Sequence, residues 1–261
     1  MKTPMMALAI SALLAGTAGA AHAQSVVALL DGNMLAVVDV KAMKAGAPMK
    51  VSGVDGKLVG IDVRPADGML YGLFEDGTVA TIDTKSGAAM KKSKLDTMLP
   101  MGTMATVDFN PVADRLRVIG SDGTNLRANV DDGKVTKDGS LKFAETDMHK
   151  GETPKIVAGA YTNSMKGAKE TALFDVDATI GALVKQAPPN DGVLTAVGKF
   201  GITAPSYAFD IAAGDGGTND GWLMAGDTLY KVDLTSGKAT AAGKVAGVSG
   251  KVHDIAILPA M

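Results

Sequence analysis

One strand type recurs five times along this chain, and that recurrence limits what the chain can fold into. The copies are LVGIDVRP (Leu58–Pro65), MATVDFNP (Met104–Pro111), IVAGAYTN (Ile156–Asn163), SYAFDIAA (Ser206–Ala213) and KVHDIAIL (Lys251–Leu258). Aligned, they place Asp62, Asp108, Ala160, Asp210 and Asp254 at one position, with spacings of 46, 52, 50 and 44 residues. Spacing of that size matches one four-stranded blade of a β-propeller.

The remainder of each unit agrees. A second strand follows as LYGLF, LRVIG, TALFDV or WLMAG. Third strands end in Asp and a glycine turn: TVATID before Thr84–Gly87, LRANVD before Asp132–Gly133, TLYKVD before Leu234–Gly237. Asp caps such turns by accepting local amide hydrogens, and Gly supplies the positive φ. A weaker fourth strand closes the unit, as in LTAVGKF (194–200) and ATAAGKV (239–245). The segment from Val26 to Val51 supplies second, third and fourth strands but no first, and the C-terminus supplies a lone first strand. Joined, the two ends make a fifth blade. The expectation is an all-β fold: one domain over 24–261, a five-bladed β-propeller whose last blade is closed by N- and C-terminal strands. Such closure protects strand edges from pairing with other chains.

Residues 1–23 read as a cleaved signal peptide. Lys2 supplies the positive charge, Met5–Leu14 a short apolar run, and Ala21-His22-Ala23 the small-x-small cleavage pattern. That run is far short of the roughly 20 residues that span a bilayer. Export to the periplasm or beyond is expected, with no lipid anchor, because no cysteine follows the cleavage point. With no cysteine at all, stability must rest on the core rather than on disulfides. A formal charge of −2 with scattered lysines argues against a nucleic-acid partner.

The stretch DFNPVADRLRVIGSDGTNLRANVDDG (108–133) resembles the bacterial family called domain of unknown function 4394. LVGIDVRPADGMLYGL, AYTNS (Ala160–Ser164), QAPPNDGVLTAVG (Gln186–Gly198) and LYKVDLTSGKAT (Leu229–Thr240) extend the resemblance over nearly all of Leu58 to Val245. It implies an exported, propeller-like protein and no particular reaction. Ala187 departs from the family, which usually has Asn there, and the chain is richer in Lys and Met than its kin.

Three constellations could carry chemistry. The first is the series Asp62, Asp108, Asp210 and Asp254 near the axis, with Asn110 and Asn163 at one mouth. It could hold a hard cation such as Ca²⁺ through oxygen ligands. Equally, each Asp could accept a backbone N–H from the next blade; fourfold repetition favours that structural role.

The second constellation is Arg127 with Arg117, Asn125 and Asn129. Aligning third strands on their terminal Asp sets Arg127 level with Leu35, Val79 and Leu229, a guanidinium in an aliphatic slot. It needs a carboxylate partner, for which Asp108 and Asp62 are the candidates. The group is either an anion pocket or an internal ion pair, and the ion pair is favoured.

The third is Met98, Met101 and Met104, a thioether spacing suited to Cu(I), with His149 and His253 the only histidines after the signal. Adaptable apolar filling is the plainer reading of those methionines. No nucleophile elbow or zinc-spaced set is present. The functional expectation is non-enzymatic binding of an unknown small molecule or protein. The alternatives are a Ca²⁺-dependent ester or lactone hydrolase at the channel mouth and a periplasmic Cu(I)-binding protein.

Overall fold

The computed structural model describes residues 25–214 and 217–259, so the expected signal peptide lies outside the described residues. Blade I takes β1 (Ser25–Leu30), β2 (Met34–Asp39) and the short β3 (Lys44–Ala45) and β4 (Met49–Lys50). Blade II is β5 (Leu58–Val63), β6 (Leu70–Phe74), β7 (Thr78–Ile82) and β8 (Ala89–Lys94). Blade III is β9 (Ala105–Asn110), β10 (Arg115–Gly120), β11 (Asn125–Ala128) and β12 (Val135–Lys137). Blade IV holds β13 (Lys142–Phe143), β14 (Ile156–Tyr161), β15 (Leu173–Asp177), β16 (Ala182–Gln186) and β17 (Val193–Lys199). Blade V is β18 (Tyr207–Ala213), β19 (Asn219–Ala225), β20 (Thr228–Val232) and β21 (Ala239–Lys244), and β22 (Val252–Ile257) ends the ring.

Five sheets result, antiparallel but for one added strand in blade IV, and β22 pairs with β1 as the inner strand of blade I. The inner strands β5, β9, β14, β18 and β22 pack side by side in that order and close from β22 back to β5. Blade IV has one strand more than the repeat announced. After β12 the chain runs out to the rim and adds β13 parallel to β17 before returning to the axis at β14.

The core is not one mass but a set of apolar layers between blades. Val26, Ala28, Trp222, Met224 and Leu229 fill the V–I interface, while Phe174, Leu183, Phe209 and Leu223 fill IV–V. Each face alternates along its strands, as a sheet buried on both sides requires.

Turn chemistry locks the blades together. Gly133 and Gly237 have φ of 77° and 72°, and a Cβ on either would meet Lys94 O at 2.0 Å or Gly198 O at 2.3 Å. Both conditions exclude any other residue: each turn rests on the fourth strand of the preceding blade.

The register corrects one alignment. Asp83 and Asp233 cap their turns, and in blade III the equivalent cap is Asn129, whose Oδ1 accepts Asp131 N–H and whose own N–H reaches Lys134 O. The turn after β11 therefore begins two residues earlier than the terminal Asp suggested. Cross-strand pairing sets Arg127 level with Val37, Thr81, Lys185 and Lys231, of which only Val37 is aliphatic. The residue that does share a row with Leu35, Val79, Leu183 and Leu229 is Asn125, fully buried.

Candidate functional site

The inner strands set the axial carboxylates. Asp62 takes Val63 N–H on Oδ1 and Phe109 N–H of the next blade on Oδ2, at 2.6 Å each. Asp108 accepts Tyr161 N–H at 2.9 Å, and Asp210 accepts Ile211 and Ile257 N–H, both at 2.6 Å. In each case the neighbouring donor is the residue just after the equivalent position. By that rule the fifth member of the row is Ala256, because Ile257 is the donor to Asp210. Asp254 sits two residues higher, level with Gly60, and accepts Ile61 N–H at 2.9 Å. The expected single ring of four aspartates is thus corrected to a tier of three with Asp254 above it.

The three lower carboxylates bring oxygens within 4.8 Å of one another, all buried. Burial, then the neighbouring carboxylates, pushes Asp62 and Asp108 well above the usual range. Burial also lifts Asp254, and it raises Asp210 to about 6, opposed by two backbone N–H bonds.

Between blades III and IV lies a second polar centre. Arg117, 2% exposed, stands opposite Asp108 on β10. Its guanidinium donates to Tyr161 Oη at 3.1 Å, Asn125 Oδ1 at 2.9 Å, Asp138 Oδ2 at 2.6 Å and Asn190 Oδ1 at 2.8 Å. Arg127 forms a two-pronged pair with the same Asp138, at 2.6 and 3.0 Å, and its side chain is 32% exposed. The expected partners of Arg127, Asp108 and Asp62, are therefore replaced by Asp138, and the deeply buried guanidinium is that of Arg117. The arrangement pins the detour after β12 to the outer hairpin of blade IV.

Of the expected asparagines Asn125 is part of this centre and Asn110 reaches its edge at Tyr161, while Asn129 and Asn163 stay outside it. Asn110 Oδ1 caps the β9–β10 turn through Val112 and Ala113 N–H, Asn129 caps its own turn, and Asn163 (φ 56°) exchanges hydrogen bonds with Asn219 of blade V.

At the end where the inner strands begin, all five blades surround an open cavity of about 850 Å³. Its floor and wall include Leu58, Val59, Met98, Leu99, Val157, Pro205 and Val252. A β-bulge at the same point of β5, β14 and β22 throws one extra residue out of the ladder. The three bulged residues, Val59, Val157 and His253, all line the cavity. Directly before each of those strands stands a lysine: Lys57, Lys155 and Lys251, all lining the cavity and all exposed. None of the three forms a salt bridge among the described residues, although the charge of Lys251 acts on Asp31 and Glu75 and Asp76 line the same cavity. Asp31 anchors one side of the rim by accepting Lys251 N–H at 2.9 Å, and its Oδ1 lies 2.6 Å from His253 Nε2.

A family model described as Domain of unknown function (DUF4394) matches residues 34–256. The chain belongs to this family. One solved structure shares the fold of this DUF4394 member, and a second is a weaker match. The first is a protein of unknown function from Bacteroides thetaiotaomicron, at 14% identity and a TM-score of 0.54, covering 92% of this chain and 68% of that one. The other is a protein of unknown function from Bacteroides caccae, at 11% identity and a TM-score of 0.48, covering 90% of this chain and 99% of that one. The comparison with curated proteins returns no match.

Several site residues of this DUF4394 chain escaped the sequence reading. Asp138 sits in a loop with no motif to mark it, and Asn190 lies in the Pro-Pro-Asn-Asp-Gly turn, which read as a turn and not as a partner of an arginine. Arg64, the chain's fourth arginine, is 7% exposed and holds Asp114 and Asp131 between blades II and III, and these hydrogen bonds raise its pKa further. The lysines did leave a signal: Lys57, Lys155 and Lys251 each fall five residues before Asp62, Ala160 and Ala256. That signal appears only once the fifth repeat is aligned on Ala256.

Proposed function

We propose that this protein is an exported, non-enzymatic binding protein that holds a small amphipathic anion in the upper mouth of the propeller. The observation that carries the reading is the mouth itself: an apolar floor contributed by every blade, ringed by three lysines that form no salt bridge among the described residues, with Asp31 near Lys251 and Glu75 and Asp76 on the same rim. Charges left unpaired around an apolar concavity favour a ligand with an anionic head and an apolar body. The head would meet the ammonium groups at the rim, and the body would cover Leu58, Val157 and Met98. Anilinonaphthalene sulfonate, a fluorescent probe of this chemistry, should bind saturably to the folded protein and weaken as salt rises. Reversing two charges, with K155E and K251E, should weaken it by about tenfold or more at low salt, since like-charge contacts cost several kcal/mol. Equal binding by that variant would sink the proposal. Export is supported by the character of residues 1–23, and N-terminal sequencing of secreted protein should begin at Gln24.

A second reading draws on one specific feature: Met98, Met101, Met104 and His253 line the same mouth. Soft thioethers beside an imidazole suit Cu(I). Competition with a Cu(I) chelator would show uptake lost on M101L if that reading holds, and no uptake if it does not.

A further inference from the structure

Directly beneath the floor of the mouth, the axis carries two tiers of oxygen. Val252 and His253 line the cavity and Asp254 is the next residue; Ala105 lines it and Thr106 is next; Val59 lines it and Gly60 follows. Asp254, Thr106 and Gly60 therefore form an upper tier, with Asp62, Asp108 and Asp210 one step deeper. We infer that these tiers form a binding site for a hard divalent cation of the calcium type, entered from the mouth and independent of any ligand held there.

Four observations converge on it. Three carboxylates present oxygens within 4.8 Å of one another, closer than three like charges can remain in a buried place without a countercharge. Five backbone N–H groups aim at those carboxylates and fix them as acceptors, so their orientation does not depend on the ion. Asp108 spends only Oδ1 on a protein donor and leaves Oδ2 free of any among the described residues. Independently, Thr106, two residues before Asp108 on the same face of β9, is 4% exposed and its hydroxyl has no hydrogen-bond partner among the described residues. Buried hydroxyls without partners are uncommon in folded proteins and call for an ion or water at the open side.

Asp108 Oδ2 and Thr106 Oγ1 thus supply the free acceptors, and Asp62, Asp210 and Asp254 supply charge around them. Calcium accepts six to eight oxygens in flexible geometry and tolerates waters among them. The mouth above gives those waters access. No step of chemistry is required of the ion: it would hold the inner strands of blades II, III, V and I by one centre.

The test uses full-length mature protein stripped with chelator and titrated with calcium at neutral pH, read by calorimetry and by thermal unfolding. Expected is saturable binding, with a midpoint that rises by several degrees when calcium exceeds Kd by about 100-fold. D108N keeps an acceptor for Tyr161 N–H while removing the charge, and it should weaken binding by about tenfold or more. T106V keeps the shape, removes the free hydroxyl and leaves the backbone hydrogen bonds of β9 intact, so it remains informative should D108N fold poorly; it too should weaken binding. Calcium that produces neither heat nor a midpoint shift overturns the inference, as does equal binding by T106V and wild type. A midpoint that responds to pH alone would show protons to be the countercharge and would overturn it as well.

Discussion

The V–I and III–IV interfaces hold neighbouring blades by opposite means. At V–I, Val26, Ala28, Leu30, Trp222, Met224 and Leu229 interdigitate in an almost wholly apolar layer. At III–IV the apolar layer is smaller, built from Ile119, Phe143, Tyr161, Leu173, Val184 and a few others, and Arg117 with its four acceptors occupies the space beside it. Oxygens without partners also gather on the facing surfaces of these two blades: the Thr106 hydroxyl, both oxygens of Asp175 and Oε1 of Gln186. Apolar contact is tolerant of small shifts and stabilises wherever area is removed from water. A buried polar centre stabilises only when complete, and it fixes one geometry. The difference follows from the chain's path. The detour through β13 must be attached to blade IV at one register, and a directional network does that where apolar packing would permit sliding.

The largest break in this comparison should come from Arg117→Leu. It strands Asn125 and Asn190 and leaves Asp138 to the partly exposed Arg127 alone, and breaking a buried pair on one side costs about 3–5 kcal/mol; denaturant unfolding would show the midpoint fall. On the apolar side, Leu229→Ala should cost about 2–5 kcal/mol through lost transfer energy and a cavity. Only the second loss should be recovered in part by other aliphatic residues, such as Leu229→Ile or Leu229→Met. If Arg117→Met were as stable as wild type, the polar centre would not be what holds III to IV.

Asp175 sharpens the contrast with pH. Burial pushes its carboxyl up to about 8, with Arg117 opposing and Asp177 adding to the rise. A folded-state value above the unfolded one means that the folded protein prefers the protonated acid. The stability Asp175 allows is fully present below about pH 4 and declines as pH rises toward 8. Asp175→Asn should remove that decline and make the protein more stable at pH 8, on the order of a few kcal/mol. An unchanged slope between pH 5 and 8 in the variant would contradict the assignment. The smallest effect should be that of Arg127→Leu, under about 1 kcal/mol, because its side chain is partly exposed and Asp138 keeps Arg117. A larger loss would mean that the solvent-side arginine, not Arg117, completes the centre.

The sequence carried the architecture because a propeller blade is written locally. Strand alternation, Asp caps and turn glycines repeat within each unit, and the incomplete unit at each end foretold the pairing of β22 with β1. It carried the axial carboxylates too, including their role as acceptors for the next blade's N–H groups. The finer equivalences were hidden where the repeat drifts by two residues, since a two-residue slip keeps every side chain on the same face and leaves the pattern intact. Asp254 aligned with Asp210 in that way although Ala256 is its structural counterpart, and Arg127 aligned with Leu229 although Asn125 is.

What the chain by itself determined is therefore the five-blade ring, its closure and the identity of the carboxylates on its axis, all consequences of local periodicity. Tertiary structure alone decided that Asp138 answers both Arg117 and Arg127, that Asp254 stands above the other three aspartates, and that Lys57, Lys155 and Lys251 meet around one mouth. Those facts depend on hydrogen-bond register between strands and on contacts between blades far apart in sequence; even the five-residue offset of the three lysines can be read only after the register has set Ala256 in the axial row.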